Sequence, residues 1–478
     1  MERRQAGIVV EALQYKHQPV LDPAFVPAKI WNDHYRLKVA ECSGERQVAV
    51  CLRRTDGEHW IYRTVMLPAE PRYEALSFRY LERIVKFLLW AWGGNQVSIH
   101  GAPELVAKLQ QVYSAAGERA FDYEFMGQTC FLDTLRIEAA PQLESSPKTD
   151  AVDPISTREL QGCRIGFDLG GSDRKCAALI DGEVVFTEEI KWDPYFQSDP
   201  SYHLNGIQDS LKRAAKHLPR VDAIGGSAAG VYVNSEPRVA SLFRGVPGDA
   251  FQSTIRPMFR ELQKMWDDVP FVVHNDGDVT ALAGAMSLGQ NGVLGISMGT
   301  SEAAGYINRS GIITGWLNEL AFAPVDYRSD APADEWSGDR GCGVQYFSQQ
   351  AVDRLIEPSG LNISSEFSLP ERLEIVQEKM KQGDERAAAI YQTIGVYFGY
   401  TIAHYCDFYD FQHLLFLGRV SSGQGGQIIQ KQAERVLADE YPNFADKLTI
   451  SMPDEKMKRH GQAVAAASLP TLTPMIQS

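Results

Sequence analysis

Residues 164–185 read RIGFDLGGSDRKCAALIDGEVV and set an acid, Asp168, just before a glycine pair in the middle of a 478-residue chain. Ile165, Phe167 and Leu169 alternate with their neighbours, which is the period of a strand. KCAALI and EVVFTEEI read as two further strands joined by the hairpin signal Asp181-Gly182. A dinucleotide fold would follow its glycine turn with a helix whose N-terminus takes the pyrophosphate. Here the turn feeds a hairpin, and the backbone N–H groups of a glycine-rich hairpin turn also cradle phosphate. An acid on the adjoining strand end is misplaced against bare phosphate but well placed near Mg²⁺. Alone, the motif is more often an ordinary turn.

Moving outward, a helix is expected over about 201–217 and RVDAIGGSAAG (220–230) reads as a strand entering a glycine loop. FRELQKMW (259–266) reads as helix and VPFVVHND (269–276) as a buried strand. GDVTALAGAMSLG (277–289) opens a helix with an acidic first turn and closes on Gly289. The order is β-β-β-α-β-α-β-α. A second glycine hairpin follows in VLGISMGTSEAAGYINRSGIITG (293–315), turning at Gly299-Thr300-Ser301 and again before a third strand.

Two phosphate-type hairpins separated by a strand ending in HNDGD resemble the ROK family of sugar kinases and repressors, over about 164–468. FDLGGS looks like its first phosphate motif, NDGDVTALAGA like its catalytic segment and SMGTSEAAGYI like its second phosphate motif. GWLNELAFAPV resembles the sugar segment, GDRGCGVQYFSQQAV the zinc stretch, LLFLGRVSSGQGG the adenosine-side strand and turn, and GQAVAAAS the closing helix. The resemblance implies an actin-like ATPase (ribonuclease-H-like) α/β fold of two lobes, with ATP and Mg²⁺ as cofactors. It implies Asp276 as catalytic base, and Asn275, Glu319 and Gly230 on the sugar, with Arg244 a further substrate-side candidate of this chain's own. It further implies Asp168 holding Mg²⁺ through water, Gly170, Gly171, Ser172, Gly299, Thr300 and Ser301 facing phosphates, and Gly418 and Gly423 against adenosine. Asn275 and Asp276 also suit a plain helix cap.

Several residues depart from that pattern. Phe322 stands where the family has its sugar-and-zinc histidine, and Cys342 alone remains of the zinc cysteines. One thiol cannot build a tetrahedral site, so no structural zinc is expected. Glu302 enters a loop that is nearly all glycine in the family, where an inward carboxylate would repel a γ-phosphate. Arg238 and Arg244, in SEPRVASLFRG, either read an anionic substrate group or pair on the surface.

The rest of the chain bounds the setting. A net charge of −14 argues against nucleic acid, which needs clustered Lys and Arg. Seven scattered cysteines with no CxxC suit a reducing compartment, and the start MERRQAGIVVEALQYKHQPV lacks a signal-peptide core. The longest near-apolar run, FLLWAW, is too short for a bilayer, so a cytoplasmic location without membrane partners is expected. APQLESSPKTDAVDPIST (140–157) has linker composition. It divides an α/β domain at 1–140 from a linker at 141–160, a first lobe at 161–289 with the helix 455–470, and a second lobe at 290–454. The N-terminal stretch lays beside the opening one, with Glu41 at Asp168, Gly44 at Gly171 and Asp56-Gly57 at the hairpin. The expected order there is β-β-β-α-β-α-β, with a strand at 36–41, helices at 73–92 and 103–116, and strands at NQVSIH and CFLDTLRI. That order is a degenerate actin-like half or an unrelated α/β domain.

The leading expectation is ATP-dependent phosphorylation of a sugar hydroxyl. The rival is a sugar- or nucleotide-binding sensor or scaffold without turnover, and a homodimer stays open.

Overall fold

The computed structural model describes residues 13–141, 160–453 and 455–472. Its first sheet holds β1 (Arg46–Arg53), β2 (His59–Met66), β3 (Gln96–His100) and β4 (Arg136–Ala139) in the order β2-β1-β3-β4. The first two form the hairpin expected at Asp56-Gly57, while β3 pairs antiparallel with β1 and parallel with β4. The helix Glu74–Ala91 buries Leu81, Ile84, Val85 and Leu88.

The strand expected at 36–41 is absent. Those residues end the helix Ala28–Ala40, where Trp31, Tyr35 and Val39 lie buried four residues apart on one face. A spacing of four is helical, and it overrides the short alternation of Leu37 and Val39. The expected β-β-β-α-β-α-β order therefore loses its first strand, and Glu41 is a helix cap with no phosphate turn behind it. The remaining four strands keep the pairing order that would be left if the central strand of the next sheet were removed. The strand expected in CFLDTLRI begins only at Arg136, because Phe125–Phe131 is helical, and the helix expected to 116 stops at Val112.

The second sheet contains β5 (Cys163–Leu169), β6 (Asp173–Ile180), β7 (Glu183–Lys191) and β8 (Ala223–Ala228). A small hairpin, β9 (Val231–Val233) with β10 (Glu236–Val239), follows, and β11 (Phe271–Asn275) completes the sheet in the order β11-β8-β5-β6-β7. Strands β5, β8 and β11 run parallel, whereas β6 and β7 fold back as the expected hairpin. Ile165, Phe167 and Leu169 are buried with Ile207, Leu211 and Ile224. On the other face the helix Glu455–Ala467 runs so close that a Cβ at Gly166 would lie 1.8 Å from the Ala463 carbonyl oxygen. At Gly225 it would lie 1.7 Å from that of Ala466. These two positions must be glycine for the helix to seat.

The last sheet contains β12 (Val293–Met298), β13 (Glu302–Ile307), β14 (His413–Leu417) and β15 (Thr449–Ser451), ordered β13-β12-β14-β15. The chain divides into two compact units. The first comprises the described residues of Met1–Asp150, Ile296–Ala303 and Trp316–Met452; the second comprises those of Ala151–Gly295, Ala304–Gly315 and Pro453–Ser478. The N-terminal stretch thus shares a unit with 316–452 instead of standing as a domain apart, and 304–315 fall with the first lobe. The expected linker, 141–160, lies almost wholly outside the described residues. Among the described residues no helix is long and apolar enough to cross a membrane.

Candidate functional site

In the unit built on the β5 sheet, parallel pairing places Asp168 opposite Ser227 and Ser227 opposite His274. Asp168 and the Asn275-Asp276 pair therefore emerge at the carboxyl ends of parallel strands, the edge where open α/β sheets hold ligands. Asp168 is buried, and its Oδ1 accepts from the Ser227 hydroxyl at 2.7 Å. The Lys175 ammonium stands 3.7 Å from its Oδ2 and 3.1 Å from Asp173. Burial raises the Asp168 carboxyl, and the Ser227 bond and Lys175 oppose that rise.

Asp276 is the first residue of the helix Asp276–Leu288, and Asn275 caps it, accepting from the Gly277 N–H at 2.6 Å. The same Asn275 amide donates to the Gly230 carbonyl at 2.5 Å. One N–H and one lone pair of that amide remain for a ligand. Burial pushes the Asp276 carboxyl up to about 6, and the nearby charge of Asp168 adds to the shift. His274 is held neutral, its ring pushed down to about 4 by burial. A Cβ at Gly277 would lie 2.3 Å from the Ala304 carbonyl oxygen, so the start of this helix seats against β13.

The turn between β5 and β6 spends the Gly170 N–H on the Asp173 carbonyl at 2.9 Å. The Trp192 indole donates to the Gly170 carbonyl at 2.7 Å. The Tyr195 ring leaves no space for any side chain at Gly171. The Ser172 hydroxyl is exposed and donates to Asp173 at 2.9 Å. The oxygen donors gathered at this edge, from Asp168, Asp173, Ser172 and Ser227, are hard and suit Mg²⁺. Gly230 has φ 129°, with Val239 and Ala240 packed against it. Arg244 stacks on Tyr195 at 4.2 Å and on Phe196 at 4.9 Å, an exposed cation on two rings. Arg238 pairs with Glu236 at 3.2 Å, its side chain only 9% exposed.

The other expected residues fall in the unit built on the N-terminal stretch and 316–452. Gly299, Thr300 and Ser301 form an accessible turn, closed by the Gly299 N–H on the Ser301 carbonyl at 2.9 Å. Gly418, at φ 108°, passes so near β12 that a Cβ would lie 2.4 Å from the Met298 carbonyl oxygen. Gly423 begins the helix Gly423–Glu440. Glu302 does not face the turn it follows. It is buried, its carboxyl directed at Gly343 and 3.5 Å from the Tyr405 hydroxyl. Burial, with Glu319 adding its charge, raises it to about 8 and keeps it protonated at neutral pH. Directed at Gly343 and protonated, Glu302 brings no negative charge to the turn.

Phe322 fills the place of the family histidine by packing, its ring 4.4 Å from Trp90 and 5.3 Å from Trp336. Cys342 is a buried thiol whose pKa is raised by burial. Among the described residues no cluster of His, Cys, Asp or Glu has metal-site geometry. Sequence reasoning missed Ser227, Lys175 and Tyr232. Ser227 was reachable by extending strand alternation through GGSAAG to the register of Asp168. Tyr232, whose buried hydroxyl has no partner and lies within the influence of the Asp276 charge, gave no local signal.

The profile of the ROK family matches residues 164–467. No curated protein sequence matches the chain. Among solved structures, a ROK hexokinase from Thermus thermophilus superposes with a TM-score of 0.51 at 16% identity, over 64% of this chain and 97% of that one. A ROK family transcriptional regulator, a homologue of the E. coli MLC protein, gives 0.52 at 21% identity, over 65% and 78%. A ROK family glucokinase from Streptomyces griseus, in complex with glucose and AMPPNP, gives 0.47 at 20% identity, over 65% and 99%. The fold shared with the first two is the actin-like ATPase fold.

Proposed function

The chain belongs to the ROK family, and from that premise we propose that it transfers the γ-phosphoryl group of ATP to a hydroxyl of a sugar or sugar derivative. One observation carries the reading: Asp276 and Asp168 emerge at the same edge of one sheet, near enough that the charge of one raises the pKa of the other. The attacking hydroxyl loses its proton to Asp276 as its oxygen bonds the γ-phosphorus and the bond to ADP breaks. With a pKa of about 6, Asp276 is mostly ionised at neutral pH yet basic enough to take that proton. Asn275 has the spare donor and acceptor to orient the sugar, and its bond to Gly230 fixes it for that task.

The N–H of Gly170 closes its own turn, so the phosphate role there falls to the N–H groups of Gly171 and Ser172 and the Ser172 hydroxyl. Gly299 closes its turn in the same way, which leaves Thr300 and Ser301 for phosphate. Asp168 and Asp173 would hold Mg²⁺, which when bound neutralises charge on the transferred group. Lys175 contributes a fixed positive charge beside both acids. Glu319, Gly418 and Gly423 keep the sugar and adenosine roles that family resemblance gives them.

A second reading, a sugar- or nucleotide-binding sensor without turnover, is favoured by Phe322, whose ring supplies no hydrogen bond to a sugar. The separating experiment is an ADP-release screen over sugars, amino sugars, sugar acids and polyols, paired with calorimetric binding of the same compounds. ATP-dependent turnover that collapses in Asp276→Asn supports the kinase. A wild-type protein that binds a sugar yet releases no ADP with any of them moves the assignment to the sensor.

A further inference from the structure

A cavity of about 450 Å³ lies inside the N-terminal unit, lined from 78–119 and from 326–340 and by no residue of the phosphate turns or of the Asn275-Asp276 pair. Its size falls within the range of small-molecule sites. Five arginines line it: Arg79, Arg83, Arg119, Arg328 and Arg340. Three are neutralised. Arg83 and Arg119 share Glu82, with Nε distances of 2.6 and 2.9 Å, and Arg119 also pairs with Asp339. Arg328 pairs with Asp22 at 2.7 Å and Asp326 at 3.1 Å. The other two are not. Arg79 donates to the Tyr327 carbonyl and Arg340 to that of Ala331 at 2.8 Å, so both spend themselves on neutral oxygens. The Arg79 guanidinium lies over the Trp31 ring at 5.4 Å, which fixes its plane.

We propose that this cavity is a second binding site, for a small metabolite carrying a phosphate or carboxylate group, with Arg79 and Arg340 as its anion contacts. The acids of this wall are already taken by Arg83, Arg119, Arg328 and Lys86, so the half-buried Arg79 and the exposed Arg340 line the cavity with neutral oxygens as their hydrogen-bond partners. Burial and the neighbouring charge of Arg83 disfavour the cationic form of Arg79, a cost that a bound anion removes. A guanidinium fork matches the paired oxygens of either anion. Phe78 and Val112 supply apolar wall for the rest of the molecule.

The test is isothermal titration calorimetry of the full chain with inorganic phosphate, glucose 6-phosphate and gluconate, using wild type, Arg340→Ala, Arg79→Ala and Asp168→Asn. Arg340 is exposed and carries little of the fold, so its variant reports even where Arg79→Ala unfolds. At least one probe should bind wild type, weaken by about tenfold or more in Arg340→Ala, and bind Asp168→Asn unchanged. The probe that binds separates a phosphate site from a carboxylate site. Absence of binding by all three would overturn the proposal. So would binding that survives loss of Arg340 or disappears with Asp168, since the ligand would then sit elsewhere.

Discussion

The backbone N–H of Glu319 donates to the carbonyl of Trp90 across 3.0 Å. Asn318 does the same to Ala91 at 2.9 Å, and Leu317 to Trp92 at 3.3 Å. The last carbonyls of a helix have no partner within it. Here the segment resembling the family's sugar stretch supplies those partners, so the N-terminal helix Glu74–Ala91 sets where Glu319 stands. The added N-terminal stretch is thus a structural support of a residue proposed to bind the sugar.

Trp90→Ala is expected to show that dependence. The ring is fully buried, packs on Phe322 and Phe125, and donates its indole N–H to Asp122 at 2.8 Å. Its loss should cost about 3 to 5 kcal/mol by urea denaturation, and any surviving folded protein should lose sugar affinity before ATP affinity. Equal loss of both ligands would refute the support role.

Lys86 is fully buried between Asp122, at 2.8 Å, and Asp339. Lys86→Met strands the Asp122 carboxylate in the interior, leaves Asp339 to Arg119 alone, and should destabilise by about 3 to 5 kcal/mol. Adding Asp122→Asn removes the stranded charge. The double variant should therefore be more stable than the sum of the two single changes, by at least about 1 kcal/mol. Simple additivity in chemical denaturation would show that the ammonium is not what holds this loop.

The β5–β6 hairpin, the Asn275 cap and the Gly299 turn were legible because each rests on local chemistry: alternation, a side-chain oxygen at a helix start, glycines in a turn. The strand assigned to 36–41 failed because its alternation rests on two residues, Leu37 and Val39, and the four-residue spacing of Trp31, Tyr35 and Val39, which begins upstream, decides for a helix. The direction of Glu302 was not legible either. It follows from Gly343 and Tyr405, 41 and 103 residues further along the chain, which open and line its pocket. The Lys86–Asp339 pair spans still more of the chain, and no spacing rule links its ends.

Glu302 makes stability depend on pH in an unusual sense. Its folded pKa of about 8 exceeds the ordinary carboxyl value, so the folded state binds the proton more tightly. The protonated native form is favoured at low pH, and stability falls as pH rises from the ordinary carboxyl range through about 8. Glu302→Gln keeps the shape and cannot ionise. Its denaturation midpoint should match wild type below about pH 4, exceed it progressively from the ordinary carboxyl range upward, and hold a constant lead above about pH 8. Parallel curves for the two proteins would mean that Glu302 is ionised throughout.

The pH profile of turnover tests Asp276 most directly. If Asp276 is the base, kcat/KM rises with pH and is half-maximal near its pKa of about 6. Asp276→Asn should remove that limb and lower turnover by about 10² to 10⁴, or roughly 3 to 5 kcal/mol of barrier. A mere helix cap predicts otherwise: about 1 kcal/mol of stability lost and turnover nearly intact. Asp168 supplies an internal control. Its negative charge helps to raise the Asp276 pKa, after burial, so Asp168→Asn should move the half-maximal pH downward. The same change should weaken Mg·ATP binding, so the profile is read at saturating nucleotide. An acid limb that stays at the same pH in Asp168→Asn, or persists in Asp276→Asn, would assign the titration to another group and remove Asp276 from the chemical step.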